Sequence, residues 1–483
     1  MNLFVRKSIA AIQNEAEESN KLKRYLSTFN LTILGIGAVI GAGIFVLTGT
    51  AAAMHAGPSL VLSFIISALG CLFAGLCYAE FSSTIPVSGS AYTYGYATMG
   101  EFVAWIIGWD LILEYLFGAS TVSVGWSGYV VSFLKDFGIY LPSQICEAPF
   151  AHNSEQGWHL TGAIINFPAV FVVVLMTTFL VIGIKESARF NNIVVLIKVA
   201  VILLFIGFGI SHIDVANWTP FIPENTSGRF GEFGWTGILA GAGVVFFAYI
   251  GFDAVSTASQ EAKNPQKSMP KAILYTLLVC TLLYIAVTLV LTGIVKYTEL
   301  NVAAPIAIAI DAVGRSLFWL RPIIKIGAIA GLSSVVLVLL YGQSRIFYIM
   351  SHDGLLWKSF SKTHPKFKTP YIATIVIGVV AVLMAGLFPI GMLGHMVSIG
   401  TLLAFIIVSF GIIILRKKEP DLHRSFRTPW VPVVPVLAIV ICLAQMLALP
   451  FDTWIRLFGW MAIGFVIYFT YGKSHSKLQG KSK

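Results

Sequence analysis

Four ionisable side chains lie inside long apolar runs of this 483-residue sequence. Lys198 lies within NNIVVLIKVAVILLF, and Asp253 closes the apolar run 237–252. Asp110 and Glu114 are four residues apart, a spacing that places them on one face of a helix. A charge is costly in such surroundings, so these residues are candidates to carry a proton or to pair with a charged ligand.

Each of these residues also has a purely structural interpretation. Lys198 lies eight residues past Phe190, at the start of its predicted helix, which is a distance of about 12 Å at 1.5 Å per helical residue. An extended lysine side chain could nearly bring its charge to that end of the helix. Asp110 and Glu114 could hydrogen-bond to a neighbouring helix, and Asp253 could cap one. The residues alone leave both interpretations open.

The composition identifies the medium that surrounds these side chains. The chain is 57% hydrophobic and 11% charged, with a mean hydropathy of +0.84, whereas a water-soluble domain carries about 25% charge. Runs long enough to cross a bilayer, about 20 residues each, predict an all-α polytopic protein of twelve membrane helices. Their expected ranges are 30–54, 59–82, 101–133, 166–184, 190–211, 235–258, 270–295, 320–350, 371–388, 392–415, 431–449 and 454–472.

The basic residues are distributed unevenly between the two sides of this arrangement. The side that holds both ends of the chain carries 24 of the 32 Lys and Arg residues, the opposite side carries six, and Lys198 and Lys325 lie within helices. Cytosolic segments of membrane proteins are enriched in Lys and Arg. We therefore expect both termini in the cytosol, a location in the cytoplasmic (inner) membrane, and contacts of the basic residues with membrane lipids rather than nucleic acid.

The first predicted helix contains four glycines, Gly35, Gly37, Gly41 and Gly43, within nine residues. Glycine costs about 1 kcal/mol per helix position relative to alanine, and unwound backbone in lipid leaves polar groups unpaired. Gly37 and Gly41 have the GxxxG spacing that lets two helices pack closely. The alternative is a helix interrupted at its centre, with a half-helix end facing a ligand.

The sixth predicted helix favours the interruption. It contains Gly237, Gly241, Gly243 and Gly251, and it carries Asp253 well inside an apolar stretch. Interrupted helices at matching positions indicate an inverted repeat. A half-helix N-terminus presents free N–H groups to a carboxylate, and a half-helix C-terminus presents carbonyls to an ammonium group. Two such breaks together would form a site for an α-amino acid.

Other classes of function find little support. Cys71, Cys77, Cys280 and Cys442 lie in apolar runs and Cys146 is alone in a loop, so no disulfide framework is expected. The set His152, Glu155 and His159 lacks a fourth ligand, so we expect no metal site. The predicted helices carry no catalytic constellation and the chain has no nucleotide-binding motif, which argues against an enzyme and against primary active transport.

Several motifs resemble those of the amino acid–polyamine–organocation (APC) transporters. Gly41-Ala-Gly-Ile-Phe45 resembles the break in their first helix, and Phe246-Phe-Ala-Tyr-Ile-Gly-Phe-Asp253 resembles the sixth-helix signature of the bacterial branch similar to cationic amino acid transporters. The further motifs, in order, are Pro86-Val-Ser-Gly-Ser-Ala-Tyr92, Gly108-Trp-Asp-Leu-Ile-Leu-Glu114, Glu261-Ala-Lys-Asn-Pro265, Gly342-Gln-Ser-Arg345, Asp353-Gly-Leu355 and Phe426-Arg-Thr-Pro429. His352 departs from the arginine that is more frequent there, and the two extra helices of the mammalian branch are absent.

The resemblance implies a LeuT-type fold of two inverted five-helix repeats followed by two additional helices. On this basis the chain divides into a cytosolic tail (1–29), a first repeat (30–211), an inverted repeat (235–415), helices eleven and twelve (431–472) and a cytosolic tail (473–483). The function it implies is secondary active import of L-amino acids, small neutral or cationic, by proton symport with alternating access. An amino acid exchanger of the same fold is the alternative.

The resemblance also assigns roles to residues. The substrate carboxylate would meet the N–H groups of the first break, the ammonium would meet carbonyls of both breaks, and Phe252 would help to close the site. The substrate-binding residues expected in this way are Ile40, Ala42, Gly43, Ile44, Phe247, Ala248, Ile250 and Phe252, with Gly41 in support.

Coupling to protons is expected to involve Lys198 and Glu114. By resemblance, the Lys198 ammonium would occupy the place of the sodium ion of sodium-coupled members and face 37–41 and the pair Ser333 and Ser334. Asp110 and Asp253 would support the site. Protons are the expected coupling ion, and no cofactor is expected. The sequence does not specify an accessory subunit.

Overall fold

The computed structural model describes residues 3–9, 12, 26–86, 90–153, 157–183, 188–259 and 262–480. Parts of the predicted features lie outside these residues, namely 87–89 of one motif, Glu261 of another and Glu155 of the candidate metal set. The regular secondary structure of the described residues is helical except for one two-stranded hairpin and an isolated bridge between Leu26 and Ala262, as the sequence predicts for a polytopic all-α protein.

Helices occupy the predicted apolar runs. In the first half of the chain they are α1 Thr28–Val39, α2 Thr48–Ala51, α3 Leu60–Thr84, α4 Ser90–Thr98, α5 Glu101–Asp136, α6 Phe167–Ile182 and α7 Ala188–Gly209. In the second half they are α8 Gly234–Val245, α9 Ala254–Thr257, α10 Pro265–Ile294, α11 Pro305–Val313, α12 Leu320–His352, α13 Tyr371–Leu387, α14 Ile390–Lys418, α15 Val433–Ala448, α16 Phe451–Ile467, α17 Lys473–His475 and α18 Lys477–Gly480.

The length and hydropathy of these helices suit a bilayer. Among the described residues, seven helical segments are long and apolar enough to cross a membrane, and five shorter apolar helices of 10–17 residues accompany them. Side chains such as Leu196, Val379 and Phe458 are between half and two-thirds exposed, which is the expected environment of residues that face lipid tails. The chain is therefore a multi-pass membrane protein.

Local sequence sets several helix ends. Ser27 caps α1 by accepting a hydrogen bond from the Asn30 N–H at 3.3 Å, and Asn166 caps α6 in the same way. Gly183 ends α6 with a φ of 77°, a left-handed conformation that glycine adopts without strain. The two ends of α6 are thus fixed by residues that the apolar pattern alone does not reveal.

The central helix of the fold is α5, whose most apolar part is 83% buried. Glycines let its neighbours approach closely. A Cβ at Gly118 would lie 3.3 Å from Leu339 of α12, and a Cβ at Gly125 would lie 2.5 Å from Val46, which follows the first break. The carboxylates Asp110 and Glu114 are therefore held on a rigid helix beside both halves of the molecule.

A hairpin in the loop after α5 is an element that the sequence analysis did not predict. Strands β1 (Phe150–Asn153) and β2 (Gly157–Leu160) pair antiparallel, with Phe150 opposite Leu160. The rings of Phe150 and Trp158 pack on Phe388 at the end of α13. A strand of four residues has too short an alternation of polar and apolar residues to be distinguished from a loop in the sequence. The aromatic contact with a distant helix stabilises the hairpin.

The first and last described residues of the chain lie at the same end of the molecule. The Glu101 carboxylate is fully buried and accepts hydrogen bonds from Tyr468 and Ser476, near the C-terminus, and from Tyr96 in α4. Near the N-terminus, Lys7 forms an ion pair with Asp353. These contacts hold the two tails against the first turn of α5 and the loop that follows α12.

A second buried carboxylate at this end explains the motif Phe426-Arg-Thr-Pro429. Glu80, at the end of α3, pairs with Arg416 at 2.7 Å and with Arg424 at 3.2 Å. The backbone N–H of Thr428 donates to the same carboxylate at 2.7 Å. The motif therefore docks the loop between α14 and α15 onto α3, and its role is structural.

Candidate functional site

The first predicted helix is interrupted after α1. Ile40 leaves the helical conformation with a ψ of 99°, and a π-helical turn begins at Gly43 and leads into α2. The Phe45 N–H donates to the Gly41 carbonyl oxygen at 3.2 Å. The N–H groups of Ala42, Gly43 and Ile44 thus stand at the N-terminal end of the second half-helix, where such groups have no intrahelical acceptor.

The second break follows α8. A 3-10 turn, Phe246–Tyr249, ends at Ile250, whose ψ of 135° is extended. Gly251 has a φ of 111°, and a Cβ there would lie 2.9 Å from the carbonyl group of Ala38 in α1. Only glycine fits both the conformation and the contact, so Gly251 allows the second break to pack directly against α1.

The two breaks lie in direct contact. A Cβ added at Gly43 would lie 2.2 Å from the Cα of Ala248. Gly41 faces α12, where a Cβ would lie 3.3 Å from Val335, and Gly37 faces α7, where it would lie 2.3 Å from Val195. The glycines therefore serve both of the alternatives that the sequence left open: they permit close helix packing and they surround a helix interruption.

Tyr284 of α10 connects the two breaks and was missed in the sequence analysis. Its hydroxyl oxygen lies 3.0 Å from the Val39 carbonyl oxygen and 2.8 Å from that of Ala248. One hydroxyl proton can serve only one of these acceptors at a time. The signal available in the sequence was a tyrosine within an apolar run, since a buried tyrosine hydroxyl usually has a hydrogen-bond partner.

Three carbonyls of the expected ammonium site already accept hydrogen bonds. The Ile40 oxygen accepts from Lys198 at 3.3 Å, the Phe247 oxygen from the Ile250 N–H at 3.2 Å, and the Ala248 oxygen from Tyr284. Each carbonyl has two lone pairs, so each retains capacity to accept from a ligand. The breaks are polar surfaces inside an apolar core.

Lys198 reaches the first break from α7. The side chain is fully buried, and its Nζ donates to the Gly37 carbonyl oxygen at 2.9 Å as well as to that of Ile40. A Cβ at Gly331 of α12 would lie 2.9 Å from the Lys198 Cγ. The ammonium group thus binds carbonyls that the interruption of the helix releases.

The serine pair Ser333 and Ser334 lies on α12 near this lysine. The Ser333 hydroxyl accepts from Trp126 Nε1 at 2.8 Å and donates to the Ile329 carbonyl oxygen. The Ser334 hydroxyl donates to the Gly331 carbonyl oxygen at 2.9 Å. Ser333 therefore links α12 to α5.

The buried acids differ in their surroundings. Asp253 is the N-cap residue of α9, but its Oδ1 accepts from the Gly251 N–H at 3.3 Å and its side chain makes no capping hydrogen bond to α9. Among the described residues, neither carboxyl oxygen of Asp110 has a hydrogen-bond partner, and Glu114 Oε1 has none. A buried carboxyl oxygen without a partner is costly, so Asp110 and Glu114 remain candidates to bind a proton or a cationic group.

Phe252 and Phe247 surround the second break with apolar surface. Phe252 is fully buried and packs on Phe405 of α14 and on Tyr78 of α3, with ring centroids 5.0 and 5.8 Å apart. Phe247 is 6% exposed. Among the described residues no group of three His, Cys, Asp or Glu is placed to hold a metal ion.

The Tyr284 hydroxyl gives a first testable prediction. We expect Tyr284→Phe to weaken substrate binding several-fold, because a lost hydrogen bond costs about 0.5–1.5 kcal/mol and leaves a buried carbonyl unpaired. Tyr275→Phe on the same helix is the matched control, since Tyr275 is 51% exposed. Isothermal titration of both purified variants measures the effect. Equal affinities would mean that Tyr284 does not organise the site.

The sequence is similar to those of known membrane transport proteins. The sequence model of a family described as amino acid permease matches residues 26–468. The chain is 48% identical over 477 residues to the methylthioribose transporter of Bacillus subtilis (strain 168) and 48% identical over 478 residues to the branched-chain amino acid permease BcaP of the same strain, with 99% of each chain covered. It is 39% identical over 441 residues to the chloroplastic cationic amino acid transporter 9 of Arabidopsis thaliana, covering 90% of this chain and 74% of that one.

Proposed function

Because this chain belongs to the amino acid permease family of the APC superfamily, we propose that it imports L-amino acids across the cytoplasmic membrane by proton symport. It is a transporter and not an enzyme, as its relatives' names state. The observation that carries the proposal is the contact between two interrupted helices, at Gly43 and Ala248, with a buried lysine bound to the first.

The backbone of the two breaks suits a zwitterion. The amides of Ala42, Gly43 and Ile44 favour a carboxylate, since the N-terminus of a half-helix carries partial positive charge. The carbonyls of Ile40 and Ala248 favour an ammonium group. These groups match the part that all α-amino acids share, so they support this substrate class and do not select among side chains.

The side chains beside the two breaks support a choice of substrate side chain. Val335 lies beside Gly41, and Phe252 packs on Phe405 just after the second break, so a small or branched apolar side chain is the first candidate. The unpaired carboxyl oxygens of Asp110 and Glu114 support a cationic side chain as the second. The relatives at 48% identity carry different names, a branched-chain amino acid permease and a methylthioribose transporter.

A binding panel on the purified protein separates these candidates. Alanine and valine are expected to bind more tightly than arginine and lysine, and methylthioribose, which lacks the ammonium and carboxylate pair, is expected to bind weakly. Tight binding of methylthioribose with no binding of any amino acid would overturn the proposal.

The fold proposed for this function is the LeuT-type arrangement of twelve membrane helices. Residues 30–211 and 235–415 would form the inverted repeats and 431–472 the additional helices. The two breaks support this division because each lies in the first helix of its proposed repeat. Alternating access would expose the breaks first to the outside and then to the cytosol.

Lys198 is proposed as the proton carrier, with Glu114 in the same pathway. Its ammonium group stabilises the first break by donating to the Gly37 and Ile40 carbonyls. Loss of the proton on the cytosolic side would weaken these contacts and release the substrate inward. An exchanger of the same fold would not require this step.

The orientation of the chain gives a second prediction. Among the five cysteines, all free, only Cys146 in the loop after α5 is not buried. We expect a membrane-impermeant maleimide to label wild-type protein in intact cells and not the Cys146→Ser variant, because this loop lies on the side with few basic residues. In that background, cysteine at Ser143 should be labelled and cysteine at Thr363 should not. The opposite pattern would invert the topology.

A further inference from the structure

Lys325 is a second buried lysine, and the proposed transport mechanism gives it no role. It lies in α12 and is 1% exposed. Its Nζ lies 2.8 Å from both carboxylate oxygens of Asp136, at the end of α5, and 3.4 Å from Asp311 Oδ2. One ammonium group thus joins three segments of the chain.

The third of these segments is the short helix α11. Asp311 on α11 also forms an ion pair with Arg321 Nε at 3.1 Å, and Arg321 Nη2 donates to the Asp311 carbonyl oxygen at 3.0 Å. Two cations on α12 therefore hold the C-terminal part of α11. A cavity of about 530 Å³ lies beside this cluster, and Asp136, Asp311 and Arg321 contribute to its wall.

The opposite end of α11 contacts the half-helix that follows the first break. A Cβ at Gly49 of α2 would lie 2.4 Å from the Leu300 carbonyl oxygen and 2.6 Å from Pro305. The Tyr129 hydroxyl donates to the Phe45 carbonyl oxygen at 2.7 Å and also meets the backbone of Ile306. A displacement of α11 would therefore change its packing contacts with the half-helix.

We infer that Lys325 is a positioning residue for transport: its ion pairs with Asp136 and Asp311 clamp α11 against the half-helix after the first break and keep that side of the protein closed. Opening on this side requires α11 to move away from α5, which breaks at least one of the pairs. The expected effect on transport rests on the proposed function, whereas the expected movement of α11 does not.

Accessibility of the clamped region tests this directly. A cysteine replaces Ala304, which is 7% exposed and lines the cavity, in the Cys146→Ser background. Lys325→Met is expected to speed its labelling by an impermeant maleimide at least about fivefold, the lower range of conformational coupling. Lys325→Arg should restore the slow rate, because it keeps the charge. Lys296→Met, at an exposed lysine of the loop before α11, is the matched control.

Transport kinetics supply a readout that a purely structural residue would not give. Loss of the clamp raises the fraction of protein open to external substrate, so the KM is expected to fall. The maximal rate is expected to fall with it, because each cycle must close this side again. A structural defect alone would lower the maximal rate and leave the KM unchanged.

Asp311→Asn keeps the test decisive if Lys325→Met does not fold. Asp311 is 33% exposed, and its replacement leaves Lys325 paired with Asp136. Faster labelling in this variant supports the clamp, and a rate equal to that of Lys296→Met in either folded variant overturns it. Faster labelling in a protein that transports no amino acid would retain the clamp and reject the proposed function.

Discussion

Lys198→Ala is expected to abolish proton-driven accumulation of the substrate in proteoliposomes. Symport of one proton can concentrate a substrate about tenfold per unit of pH difference, and the variant should reach only equal concentrations inside and outside. The physical reason is that the methyl group of alanine can neither bind a proton nor donate to the carbonyls of Gly37 and Ile40, which now accept from the lysine. Binding or exchange of substrate should survive in part.

Two controls accompany this measurement. Lys296→Ala removes an exposed lysine and should accumulate substrate as the wild type does. Thermal unfolding of Lys198→Ala shows whether the two carbonyls left without the lysine destabilise the protein. A folded Lys198→Ala protein that still concentrates substrate on a proton gradient would show that the lysine is not the carrier.

Gly43→Leu should abolish substrate binding. Even a Cβ at this position would lie 2.2 Å from the Cα of Ala248, so a larger side chain must separate the two breaks and fill the space that we assign to the carboxylate. Hydrogen bonds to a charged group are worth about 1.5–3 kcal/mol each. Loss of two of them would weaken binding by at least two powers of ten, measurable by titration of the purified protein.

The matched control is a glycine without this contact. Gly391 in α14 has open space where a Cβ would lie, and Gly391→Leu is expected to bind substrate with unchanged affinity. Gly43→Ala gives the graded case, with a smaller displacement and an intermediate loss. Wild-type affinity in a well-folded Gly43→Leu protein would place the substrate elsewhere.

The interruptions of two helices could be inferred from the sequence because they rest on local chemistry. Glycines in the middle of an apolar run, such as Gly43 and Gly251, indicate that the helix is interrupted there. The structure has a break beside each of these two glycines. The buried Lys198 could be noticed for the same reason, since a charge within an apolar run is rare. The substrate and proton roles of these residues stay predictions.

Other parts of the site depend on contacts between distant segments and could not be predicted. Tyr284 lies 36 residues from Ala248 along the chain, and only the folded protein places its hydroxyl between the two breaks. The partners of Lys325 are likewise distant: Asp136 lies 189 residues away. Glu80 pairs with Arg416, which lies 336 residues further along the chain. No local pattern encodes such pairings.

Proton movement coupled to substrate tests the central claim most directly. Proteoliposomes that contain the purified wild-type protein and an internal pH-sensitive dye receive external amino acid, with no initial gradient of pH or sodium and with the membrane potential held at zero. Symport predicts acidification of the interior that depends on substrate, persists without sodium and is absent with Lys198→Ala. Substrate uptake at the wild-type rate with no change of internal pH would contradict the account.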